Sequence, residues 1–358
     1  MTPTQQLSNH PKIKFLQTRY NHTVDLAIEK VTAHLKSPQQ YPLPPANKKS
    51  LERSLYDVLM TLTEKKQNKF LDAIKSNQTT TVEQRNQKFG DLATIDLHTN
   101  KVIAEQVRDL PVVDSMKITE AELIIFHDQL FPGKKYHFEK ILEKREQTRQ
   151  AAAATTIQFV LDSLTCNKTN DIHKDEISIG AFATDSSGVA SNKVPFFVDK
   201  FKKKETKALG AKGNLFSFLI DDSSTGGSFP LTFIAGLFIV EADLIHNTAF
   251  GNKLSAFFGI LGATLTAVSM GMMFVPGIGF PLVIATMIIA LGFNILGHFV
   301  IPILIDDIGF PVADTLVLDA PPNIGQSFSR TIELTIDRSG TPGFSKGSYT
   351  ANVRWVAG

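Results

Sequence analysis

The sequence predicts an α+β protein: an N-terminal helical domain over 1–166, then an antiparallel β-sandwich-like domain over 171–358 carrying an inserted hydrophobic two-helix hairpin at 254–305. Three observations lead there. Apolar residues recur at three- and four-residue steps through the first half, they alternate with polar ones through much of the second, and 254–305 holds no Asp, Glu, Lys or Arg.

The first helix is expected from Lys12 to Leu35, where Ile13, Leu16, Tyr20, Val24, Ala27 and Val31 share a face. Pro38, Pro42, Pro44 and Pro45 then stop it, since proline lacks the backbone donor and clashes with the preceding turn. A second amphipathic stripe predicts one helix from Leu51 to Ile74. Thr119 with Glu122 three residues later has the spacing of a capping box, in which each side chain bonds the other residue's backbone N–H. From His137 to Leu164 a long helical stretch is expected, because it runs through the strong helix formers Ala151–Ala154. The polar residues between Cys166 and Asp171 then read as the seam between domains.

Beyond the seam, Ile177–Phe182 alternates as a half-buried strand does. Further strands are expected at 194–198, 215–220, 231–240, 315–318, 331–336 and 349–356, separated by Asp-, Ser- and Gly-rich turns. About seven or eight short strands suit a β-sandwich.

The uncharged run from Leu254 to Ile305 is broken by Pro276, Gly277 and Pro281 into two arms. About 20 helical residues cross a hydrocarbon core of about 30 Å, so each arm is long enough to span a bilayer. Ser255, Gly259, Ala263, Ala267 and Gly271 form a small-residue ridge suited to close helix approach in lipid, with Phe257, Leu261, Leu265, Val268 and Met272 as the bulky opposite face. Asn294 and His298 share a face of the second arm and suit either a wet path or hydrogen bonds between helices. Three arrangements fit this hairpin: a pair of buried core helices, a pair sheltered and later released, or a permanent anchor. The last two make it dispensable for folding of the rest.

Carboxylates gather near expected strand ends. Asp243, Asp306 and Asp307 would be brought together by an antiparallel hairpin, as solvated turns or as a Ca2+ site, although no calcium-loop spacing is present. Lys200, Lys202, Lys203, Lys204, Lys207 and Lys212 form a basic run, either a solvated loop or a contact for anionic lipid at Lys202, Lys203 and Lys204. A net charge of +2 gives no reason to expect a nucleic-acid partner. With one cysteine, Cys166, no intramolecular disulfide forms. Residues 1–20 lack the continuous apolar core of a secretory signal peptide, so export, where it occurs, is expected by a non-classical route. No HExxH, GxSxG or P-loop order is present, and the chain is not expected to be an enzyme.

Leu254–Ile305, set beside a helical domain, resembles the plan of α-helical pore-forming toxins and colicin-like killers. Ile305–Gly309 and the closing stretch Gly347–Trp355 resemble the end of a C2-like or similar β-sandwich. The resemblance implies a membrane-associated effector whose hairpin enters a target bilayer, forms homo-oligomers there and is delivered by a secretion or injection apparatus. The alternative is a resident membrane-anchored scaffold or interaction protein with no lytic activity.

Overall fold

The computed structural model describes residues 9–75, 81–119, 121–122, 125–126, 154–169, 174–185, 190–220, 231–241, 248–270, 309, 311–318, 321–337 and 346–358. Helices gather in the N-terminal part and two antiparallel sheets in the C-terminal part, so the α+β class holds.

Helix α1 spans Pro11–Lys36, starting on a proline whose missing N–H costs nothing at that position. Its Ile13, Leu16, Leu26 and Val31 are fully buried. The single helix expected over Leu51–Ile74 is instead two, α2 (Leu51–Leu59, capped by the Ser50 side chain) and α3 (Glu64–Lys75). The break has a local cause. Thr61 N and Leu62 N bond carbonyls three residues back, and the Thr61 hydroxyl donates to Val58 O at 2.6 Å, so the turn tightens and stops. Helices α4 (Val82–Phe89) and α5 (Ile103–Asp109) follow. The capping box forms as expected, with Thr119 N donating to Glu122 Oε2 at 2.8 Å and Glu122 N to Thr119 Oγ1 at 3.4 Å.

Strands are β1 (Thr156–Lys168), β2 (Asp175–Thr184), β3 (Ala190–Phe201), β4 (Thr206–Ala208), β5 (Asn214–Leu219), β6 (Leu231–Glu241), β7 (Val312–Leu318), β8 (Ser327–Asp337) and β9 (Lys346–Ala357). One sheet runs β4-β1-β9-β8, with β5 also on β1; the other runs β3-β2-β6-β7. Between them Phe159, Leu161, Trp355, Ile179, Phe233 and Leu237 are fully buried. The helix expected over His137–Leu164 is corrected where it is described. Residues 156–164 belong to β1, which pairs with β9 and β5, and Cys166 lies inside this strand rather than at a seam.

The central strands of the second sheet, β2 and β6, are buried on both faces. The sheet's outer side carries reciprocal cross-strand pairs, Gly180 opposite Phe238 and Phe182 opposite Gly236, so each ring lies over a glycine and leaves the sheet smooth. Helix α6 (Thr248–Met270) packs there, its Phe258 ring centroid 5.9 Å from Phe182 and 4.9 Å from Phe238. The same apolar cluster takes in α1 and α2. Tyr20 Oη donates to Leu261 O at 3.3 Å and Lys253 pairs with Asp57 at 3.0 Å, tying α6 to both.

This placement overturns the expected transmembrane helix. No described helix is long and apolar enough to cross a membrane. The bulky face of this arm, suited to lipid or to a protein groove, is buried in protein at Phe257, Leu261 and Val268. Removing α6 would uncover Phe182 and Phe238, which argues against the expectation that the hairpin is dispensable. On the ridge, Gly259 is buried and Ala263 and Ala267 are half-buried, while Ser255 is helical. Gly271, Pro276, Gly277, Pro281, Asn294 and His298 lie outside the described residues, as does the second arm.

Candidate functional site

The lysine run predicted from sequence is resolved by strand register into paired and unpaired members. Chain direction is set by Phe201, the last residue of β3, whose buried ring meets Tyr349 edge-on at 5.9 Å. A tight turn follows. Lys202 N donates to Glu205 Oε2 at 2.8 Å, Lys204 N to Cys166 O at 2.6 Å, and Cys166 N to Glu205 O at 2.9 Å. Lys204 takes φ of 67°, an uncommon value for a residue with a side chain, costing on the order of 1 kcal/mol.

Lys200 pairs with Glu176, and Lys207 pairs with Glu205 at 2.7 Å and Asp199 at 3.1 Å. These neighbours consume the local carboxylates. The Lys200 N–H and the Lys207 ammonium hold Asp199 below the usual carboxylate range, and Lys207 does the same for Glu205. Lys202, Lys203 and Lys204 stay exposed with no ion pair among the described residues. Lys168, ending β1, and Lys174, preceding β2, are exposed at the same end of the sandwich. The result is a basic rim, set by backbone hydrogen bonds rather than by a floppy loop.

Beneath it lies a buried anchor that joins the sheets. Tyr349 Oη of β9 donates a hydrogen bond to the fully buried Asp175 of β2. Burial and the adjoining Asp175 push the Tyr349 hydroxyl well above the ordinary tyrosine range, and burial pushes the Cys166 thiol up to about 11. Cys166 is therefore packed in the core and held as the thiol. Sequence reasoning passed over this pair, although a signal existed. Asp175 keeps step with inward-facing Ile177 and Ile179, as Tyr349 does with Ala351 and Val353.

No family model, curated protein or solved structure matches the chain.

Towards the other end of the sandwich a second link crosses the sheets. Trp355 Nε1 donates to Asp314 Oδ2 at 2.7 Å, with Arg330 Nε 3.9 Å from Oδ1. Burial raises the Asp314 carboxyl above the usual aspartate range against the opposing pull of the Trp355 bond and Arg330. A raised folded-state pKa means stability present below the unfolded value and lost as pH rises through the folded one. Trp355 is the single tryptophan, so its emission should titrate with a midpoint above the ordinary aspartate value and cease to do so in Asp314→Asn. An unchanged titration in that variant would assign the transition to another group.

Asp243, Asp306 and Asp307, proposed for Ca2+, lie outside the described residues. Among the described residues no three His, Cys, Asp or Glu side chains are grouped to hold a metal.

Proposed function

We propose that this chain acts by binding rather than by catalysis, as a peripheral protein that docks on an anionic bilayer through Lys202, Lys203 and Lys204 and carries its helical domain as an interaction module. The observation that carries the reading is the unequal pairing of the run. Local carboxylates are spent on Lys200 and Lys207, which leaves three consecutive exposed ammonium groups on a hydrogen-bonded turn. Lys168 and Lys174 extend the same positive edge. A surface of this kind needs no inserted helix, because basic residues near an anionic leaflet contribute about 1 kcal/mol each within a Debye length.

Sedimentation of the purified chain with phosphatidylcholine vesicles, with and without phosphatidylserine, tests this. Binding should require the anionic lipid and weaken as salt rises. Replacing Lys202, Lys203 and Lys204 together by alanine should weaken it on the order of a hundredfold, about 3 kcal/mol. Equal binding to neutral vesicles, an unaffected triple variant, or retention on duplex DNA without retention on vesicles would each overturn the proposal.

A further inference from the structure

Strand β8 ends its sheet, paired with β9 from Ser327 to Asp337 without a register shift. Its other edge pairs with no described strand. Exposed edges invite pairing with another chain, and the edges of β3 and β7 are guarded. β3 contains Pro195, has two register shifts against β2, and is packed by α6, where a Cβ on Gly251 would sit 3.2 Å from the Pro195 ring. The β1 edge is split between β4 and β5. β7 is short, and its Asp314 is engaged by Trp355. β8 has neither proline, lysine nor bulge.

The edge also has a readable phase. An added Cβ on Gly309 would lie 2.3 Å from the Thr335 carbonyl oxygen, and Gly309 N donates to Ile239 O, so Thr335 turns its carbonyl away from β9. In an antiparallel ladder alternate residues point both backbone groups the same way. Ser327, Ser329, Thr331 and Glu333 therefore present theirs outward, with exposed side chains. Arg330, on the inner side, reaches towards Asp314 and keeps its charge near the edge.

We propose that this edge pairs with the same edge of a second copy of the chain, antiparallel, about a two-fold axis at Thr331. Like charges exclude the neighbouring centres at Arg330 and Glu333, where each residue would face itself. A centre at Ile332 would set Thr335, whose carbonyl Gly309 already meets, opposite Ser329 within the pairing, whereas about Thr331 it falls opposite only the terminal Ser327. The Thr331 centre sets Ser329 opposite Glu333 and Phe328 opposite Leu334, with no like charges facing. Such an interface is isologous and small, so association should depend on concentration. Pairing in this sense points the lysine turns of the two copies in opposite directions.

Sedimentation velocity of the full chain over a concentration series should show a monomer–dimer equilibrium. Thr331→Lys and Thr331→Glu should each weaken self-association at least about fivefold, because the new charge faces its own copy. An equimolar mixture of the two should restore the dimer, with Trp355 emission unchanged throughout as the check on folding. A wild type monomeric at every concentration, single variants that associate as wild type does, or a mixture that stays monomeric would overturn the proposal. Vesicle binding by the lysine turn is measured separately, so either idea can fail alone.

Discussion

Phe258→Ala is expected to lower stability by about 3–5 kcal/mol, the usual cost of removing a buried phenylalanine. The ring is fully buried, meets Phe182, Phe238 and Phe257, and stands where the sheet and the helical layer share an apolar cluster. Beyond the loss of stability, the variant should uncouple the two parts. Far-ultraviolet circular dichroism reports mainly the helices, while emission from Trp355 reports the sandwich interior. In denaturant the two signals should coincide for the wild type and separate for Phe258→Ala, since two-state behaviour requires that the parts unfold together. A variant whose midpoint does not move would show that α6 is not docked on the sheet.

How far the sequence disclosed this arrangement depends on the range of the interaction that decides each element. Helix α1 follows from a local three- and four-residue rhythm, and the strands β2 and β6 from local alternation or a short apolar run. β1 did not follow. The alanines at 151–154 favour helix, and what makes 156–168 a strand is pairing with β9, nearly two hundred residues away along the chain. Helix α6 was legible as a helix but not in its surroundings. A helix without a polar stripe fits either lipid or a place between a sheet and a helical layer, and only tertiary packing distinguishes them.

The candidate site shows the same division. Six lysines in a row of residues are visible in the sequence, but which of them are neutralised depends on Glu176 lying opposite Lys200 and on Asp199 lying near Lys207. Those are facts of register. The Tyr349–Asp175 anchor beneath them was within reach, because strand phase alone places a carboxylate and a phenol on inward faces, and buried polar groups must find partners.

Gly180→Ala is expected to be as informative as the loss of a ring, although it adds only one methyl group. The new Cβ would fall 2.0 Å from Cζ of Phe238, and in the reciprocal variant Gly236→Ala it would fall 2.1 Å from Cζ of Phe182. A ring at a free surface could swing aside. These rings cannot, because Phe238 is fully buried, Phe182 almost so, and both lie under Phe258 of α6. Relief therefore requires α6 to lift from the sheet or the strands to part, and overpacking of this sort costs about 1–3 kcal/mol or more. Shortening the opposing ring supplies the control. Phe238→Leu alone opens a cavity, but combined with Gly180→Ala it should recover much of the stability lost by either change, because each relieves the defect of the other. Chemical denaturation of the two single variants and the double variant measures the coupling. Strictly additive losses would mean that the glycine and the ring do not share this space, and the smooth face on which α6 rests would need another explanation.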